Sequence, residues 1–212
     1  MPSPMGWAAF AALSFYLILF ALGTLRLAAN GQRIWLFTTA TGRDRGAAFG
    51  FRAAFALGLL GPLVWVALPV LHKADPLWSE SGLPLTGWTG ALLAWAGALL
   101  AWAGALLALL AQSGMGASWR VGVRQGEAGA LVTSGLFSLS RNPTFLGQAM
   151  LLAGVAAALP CLPTLIAAVL MVWSANTQIR SEETILLATH GEAYARYMAR
   201  VPRWIGRAGT EG

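Results

Sequence analysis

Two short polar stretches stand at the ends of one long uncharged run: Arg141-Asn142-Pro143 before it and Arg180-Ser181-Glu182-Glu183 after it. Guanidinium groups hold carboxylates and phosphates, and in lipid each charge is costly unless paired, so a meeting of these stretches would make a site for a charged ligand. Asn142 is placed to cap a helix whose first position is Pro143, where the missing N–H of proline costs nothing. The positive end of that helix, with Arg141, would attract a carboxylate or phosphate. Arg180 and Glu183 are three apart and share a helix face, while Glu182 points elsewhere. Farther on, His190-Gly191-Glu192 leads into Tyr194, Arg196, Tyr197 and Arg200, a short amphipathic helix after a glycine stop, closed by Pro202.

Each piece taken alone has a plainer explanation. Arg141 could snorkel to a membrane interface, Arg180 and Glu183 could be an incidental surface pair, and the last helix could anchor to a membrane surface. What brings them together is the run between them.

The 212-residue chain is 57% hydrophobic and 10% charged, against roughly 25% charged residues in soluble domains. Runs without Asp, Glu, Lys, Arg or His cover Met1 to Leu25, Ala53 to Leu71, Ser81 to Trp119 and Asn142 to Ile179, and a crossing needs about 20 apolar residues. The third run narrows to Gly87–Ala111, because Gly, Pro, Gln and Ser flank it. The fourth is too long for one crossing and is broken at Leu159-Pro160-Cys161-Leu162-Pro163, which predicts a tight helical hairpin with arms Pro143–Leu159 and Pro163–Ile179. The expected fold is therefore all-α: a polytopic membrane protein with five transmembrane helices, the fourth and fifth a hairpin, and a short cytoplasmic C-terminal helix.

Orientation follows the basic residues, which concentrate on the cytoplasmic side. In the five-span arrangement Arg26, Arg33, Arg43, Arg45, Arg52, Arg120, Arg124, Arg141 and the arginines from Arg180 to Arg207 all share one side, and only Lys73 lies opposite, beside Asp75 and Glu80. This places the N-terminus outside and the C-terminus in the cytoplasm, in a membrane of the bacterial inner type. The net charge of +6 is spread along that face without the stripe that nucleic acid requires, so membrane lipids and no nucleic acid are expected as partners. The single Cys161 excludes an internal disulfide, and His72 and His190 fall on opposite sides, so no metal site is expected. The apolar start lacks a charged region before it and reads as a retained helix.

The chain reads as a single membrane domain, 1–212, in which 1–130 is a three-helix scaffold and 131–205 carries the site. The third helix contains a tandem, Ala94-Trp-Ala-Gly-Ala-Leu-Leu100 and Ala101-Trp-Ala-Gly-Ala-Leu-Leu107. It sets Gly90, Ala94, Gly97, Ala101, Gly104 and Ala108 along one seam that lets another helix approach closely, either within the bundle or in a homodimer. The first loop, 30–50, is rich in Arg, Thr and Gly and names no chemistry.

Taken jointly, these elements resemble the isoprenylcysteine carboxyl methyltransferase and phospholipid methyltransferase superfamily of integral membrane enzymes. The resemblance rests on Leu131-Val-Thr-Ser-Gly135, on Arg141-Asn142-Pro143 with Phe145 and Gly147, and on Arg180 with Glu182-Glu183 and Leu186. It continues through Gly191-Glu192 with Tyr194, Tyr197 and Val201-Pro202, includes Ser118-Trp119-Arg120 weakly, and scarcely touches the first three helices. It implies S-adenosylmethionine bound on the cytoplasmic side. Leu131, Val132 and Gly135 would supply backbone contacts, and Arg141, Asn142, Pro143 and Phe145 would line the pocket. Glu183 would hold polar groups of the cofactor and, itself or through a nearby water, would accept the proton of an amine or thiol acceptor; Arg180 would orient the acceptor, and Tyr194 and Tyr197 would close the site. The carboxyl-methylating branch has His where this chain has Asn142 and Tyr where it has Phe137 and Phe145, and asparagine cannot act as a proton-transfer base.

The implied activity is methyl transfer to a lipophilic acceptor, foremost the carboxylate of an isoprenylcysteine-like compound, with a phospholipid amine or small thiol as alternatives. Membrane sterol reductases look similar in their C-terminal region and would need nicotinamide instead. A non-catalytic membrane protein is the third class, although the scarcity of charge within the first three helices argues against an ion pathway.

Overall fold

The computed structural model describes residues 3–29, 42–77, 87–115 and 131–205. Among these are seven α-helices and a short 3-10 turn at Gly135–Ser138. The helices are α1 (Pro4–Ala29), α2 (Gly42–Ala67), α3 (Pro69–Ala74), α4 (Trp88–Met115), α5 (Pro143–Ala158), α6 (Leu162–His190) and α7 (Glu192–Arg200). Four of them, α1, α2, α4 and α6, are long and apolar enough to cross a membrane. With 16 residues, α5 is shorter, about 24 Å at the rise of an α-helix. The chain is thus a multi-pass membrane protein, all-helical among the described residues, which hold four helices of spanning length where sequence patterning expects five.

Two helices depart from the hydropathy pattern. The charged residues Arg43, Asp44, Arg45 and Arg52 lie inside α2, which starts at Gly42 and not at the apolar run from Ala53. The second half of the 30–50 loop is therefore helical, and residues 30–41 lie outside the described residues. Likewise α6 continues through Arg180 and Glu183 to His190 where the apolar arm was expected to end at Ile179. These extensions support each other: Ser181 Oγ on α6 donates to Asp44 Oδ2 on α2 at 3.0 Å. Ser118-Trp119-Arg120, Arg33, Glu80, Arg124 and Arg207 also lie outside the described residues.

The small-residue seam on α4 packs against α5. A Cβ on Gly97 would lie 2.6 Å from Ala158 N, and one on Gly147 would lie 2.5 Å from Ala108 N. Gly104 and Gly154 are equally closed by backbone of the facing helix. The two helices therefore touch backbone to backbone, the arrangement in which small residues let dispersion replace the hydrophobic effect in lipid. Ala101, Ala105 and Ala108 are fully buried along this contact, so a dimer through the same face would have to displace α5.

At the opposite end of α6, Asp75 is buried and accepts from Trp65 Nε1 at 2.7 Å and from the Leu162 backbone N–H at 2.8 Å. Its charge sits at the positive end of α6 and satisfies a free first-turn amide. The centre of the bundle is filled by Leu13, Tyr16, Phe51, Phe55, Leu151, Leu152, Met171 and Ile179.

Candidate functional site

The polar residues gather where the chain enters α5, where α6 runs past its apolar part, and where the tail returns after α7. The geometry is built on one carboxylate. Glu183, buried on α6, accepts from Arg141 Nη2 through Oε1 at 2.8 Å and from Arg203 Nη2 through Oε2 at 2.7 Å. Arg203 Nε also donates to both oxygens, at 3.1 and 3.2 Å. Such charge-assisted, two-point pairs are the strong ones, and this one joins residues that neither local helix propensity nor hydropathy would bring together.

Arg141 has further tasks. Its Nη1 donates to Met198 O at 3.0 Å and Val201 O at 3.2 Å, capping the negative end of α7. Its backbone N–H donates to Pro202 O at 2.9 Å. Asn142 precedes Pro143, the buried first residue of α5, yet its side chain makes no cap. The amide Nδ2 donates instead to Arg203 O at 3.0 Å, and Ser140 Oγ donates to the same carbonyl at 3.3 Å. The expected capping role of Asn142 is thus replaced by a tether on the tail, whose Arg203 carbonyl it shares with Ser140.

Behind this cluster α7 presents Tyr194 and Tyr197, both buried, with Val201 and the half-buried Leu131, Leu186 and Met198 around them. Tyr197 donates its hydroxyl to Phe137 O at 2.6 Å, fixing the 3-10 turn onto α7. Burial pushes the Tyr197 phenol up to about 12, against the opposing pull of Arg141. Burial also raises Tyr194, and the charge of Glu183 adds to it. Both phenols therefore remain protonated at physiological pH.

The other residues singled out in sequence take distinct places. Leu131 and Val132 are half-buried, and Gly135 is exposed with φ +61°, a left-handed conformation that suits glycine as the chain turns into the 3-10 segment. Phe145 meets Phe51 of α2 edge-on at 6.5 Å. Arg180 is exposed, one turn from Glu183, and its side chain does not join the cluster. Glu182 is half-buried beside Glu183. The arrangement thus brings together Arg141, Asn142, Glu183 and the two tyrosines, and it adds Arg203 and Ser140, which sequence reasoning missed. A signal for Arg203 existed: a glutamate at a membrane boundary needs its acceptor positions filled, and Arg203 follows directly on Val201-Pro202.

The residues present fit part of what S-adenosylmethionine requires. Two arginines face the Glu183 carboxylate here, and Arg141 Nε is buried without an acceptor among the described residues. A guanidinium N–H in that state suits the carboxylate of an amino-acid moiety.

A family model described as phospholipid methyltransferase matches residues 92–193, from the first turns of α4 to the second residue of α7. That family stands in the superfamily of integral membrane methyltransferases that includes the isoprenylcysteine carboxyl methyltransferases, so the resemblance read from the motifs holds. The match takes in α4 as well, which the motifs alone scarcely touched, and stops short of Tyr194, Tyr197 and Arg203. No curated protein and no solved structure matches the chain.

Proposed function

We propose that this membrane methyltransferase-family chain uses S-adenosylmethionine to methylate a lipophilic acceptor at the cytoplasmic face of the membrane. The observation that carries the reading is the cluster of Arg141, Glu183 and Arg203, lying inside or just beyond the matched residues and leaving a buried N–H of Arg141 without an acceptor. Four helices of spanning length and the short α5 support a five-crossing arrangement in which α5 and α6 form a hairpin, with the N-terminus outside and both ends of the hairpin in the cytoplasm.

In this reading the Arg141 guanidinium holds the cofactor carboxylate, and Glu183 aims it. Glu183 itself is occupied by guanidinium N–H groups, so its part is to position the arginines and not to touch the cofactor. Leu131, Val132 and Gly135 offer backbone along one wall, Asn142, Pro143 and Phe145 line the entry to α5, and Tyr194 and Tyr197 close the apolar side. Arg180, exposed on the same helix, attracts the charged end of the acceptor from the membrane surface. When bound, S-adenosylmethionine supplies an electrophilic methyl carbon on a sulfonium, and in-line displacement then needs alignment and a water-poor pocket more than acid-base machinery.

The acceptor that suits this cluster best is a carboxylate, as in an isoprenylcysteine-like compound. It needs no deprotonation, and here both oxygens of Glu183 are engaged while the tyrosines stay protonated. A phospholipid amine is the second reading, favoured by the description of the matching family; it would require Glu182 to accept the proton. Purified protein incubated with labelled S-adenosylmethionine should transfer label to a prenylated cysteine. Transfer to phosphatidylethanolamine alone would select the amine, and transfer to neither with retention of a nicotinamide would select a reductase.

A further inference from the structure

In the first and second turns of α5 stand Thr144 and Gln148, four residues apart and so on the same side of the helix. Thr144 Oγ1 is buried with no hydrogen-bond partner. Gln148 is 2% exposed; its Nε2 donates to Tyr16 OH of α1 at 2.6 Å and its Oε1 is buried with no partner. Gln112 Nε2 of α4 donates to the same phenol at 3.0 Å. Exchanging the amide oxygen and nitrogen of Gln148 would pair the Tyr16 hydroxyl with Oε1 but leave Nε2 orphaned, so one amide atom lacks a partner in either orientation. Three helices thus converge on a polar row within an apolar bundle, and two of its polar atoms are buried without a partner among the described residues. Such groups are costly in lipid and in structures of this kind mark functional positions.

We infer that this row binds the neutral hydrogen-bonding linkage of the lipophilic acceptor, an amide or ester carbonyl lying within about two helical turns of the end that receives the methyl group. The inference rests on the methyltransferase reading. Thr144 Oγ donates to the carbonyl, and the free amide atom of Gln148, held in place by Tyr16, takes the adjoining N–H or carbonyl. The row thereby selects amphiphiles that carry a second polar group beneath a charged end, against plain fatty chains that would leave it unpaired.

The test is equilibrium binding of two tritiated probes, N-acetyl-S-farnesylcysteine and a dioleoyl phosphatidylethanolamine, to the full chain in detergent. The unsubstituted protein should retain at least one of them. Gln148→Met, which keeps the volume, should bind it about tenfold more weakly, with a thermal midpoint unchanged or raised. Tyr16→Phe, which releases the Gln148 amide while keeping the ring, should weaken it similarly and serves where Gln148→Met does not fold. Retention of neither probe, or retention equal in the variants, overturns the inference. Binding of S-adenosylmethionine by the unsubstituted protein, measured separately, reports on the functional reading alone.

Discussion

Arg203 grips both carboxylate oxygens of Glu183, with Nη2 2.7 Å from Oε2 and Nε 3.1 and 3.2 Å from Oε1 and Oε2. The contact closes a ring of chain: α6 supplies the carboxylate, the tail supplies the fork, and Arg141 joins from the entry to α5 at 2.8 Å. A segment that hydropathy would leave on the surface is thereby locked over the candidate site.

Glu183→Ala should destabilise the protein by about 3 kcal/mol, because two buried or half-buried guanidinium groups would then face each other without their shared anion. Arg203→Lys keeps the charge but loses the fork, and should cost less, about 1 kcal/mol. Chemical denaturation in detergent micelles measures both; equal stability of Glu183→Ala and the parent would show the cluster to be inconsequential.

The α4–α5 contact sets a sharper threshold. A side chain at Gly104 would meet backbone of Leu151, Gly147 and Met150, whereas one at Gly23 in α1 meets nothing within 4 Å. Gly104→Val should therefore abolish or severely reduce the folded protein, and Gly23→Ala should stabilise it by about 0.5 kcal/mol or more. Size-exclusion profiles and thermal midpoints of the two variants, compared side by side, decide this.

Tyr197 couples the fold to alkaline pH. Its phenol is held up to about 12 against an ordinary value of 10, so the folded state favours the protonated form. That contribution is whole below about pH 10 and is lost as pH rises from there through the folded value near 12. Thermal midpoints should fall across this window, and Tyr197→Phe should flatten the fall while lowering stability near neutrality by about 1 kcal/mol through loss of the bond to Phe137 O. An unchanged slope in the variant would mean that the decline belongs to other groups.

Glu182 separates the two acceptors. With an amine acceptor, Glu182→Gln removes the half-buried carboxyl group beside Glu183 and should slow transfer by about a hundredfold. With a carboxylate acceptor the same change should leave the rate within about twofold, since no proton has to move. Initial rates on each acceptor class give the answer.

Much of this site is legible in the residue order alone, and the reason is physical. Proline at the start of α5, glycine before α7 and an uncharged run too long for one crossing are local signals that tertiary context rarely overrides, and from them Arg141 and Glu183 were expected to meet. What stayed hidden depends on partners far along the chain. The charged start of α2 is helical with Ser181 of α6 beside its Asp44, and Asn142 abandons its cap for a carbonyl of the tail. Arg180 and Glu183 share helix spacing, but only the second has arginines waiting for it. The α4 seam was visible as a seam; that α5 fills it follows from Gly147 and Gly154 standing opposite Gly104 and Gly97.

The most direct test of the account is a calorimetric titration of S-adenosylmethionine into the purified protein and its Arg141→Met variant. The account predicts a dissociation constant in the micromolar range, about 7 to 9 kcal/mol of binding, weakened at least about tenfold in the variant, which keeps the apolar stem but has no N–H for the carboxylate. Absence of binding by the unsubstituted protein, or equal affinity in Arg141→Met, would contradict it.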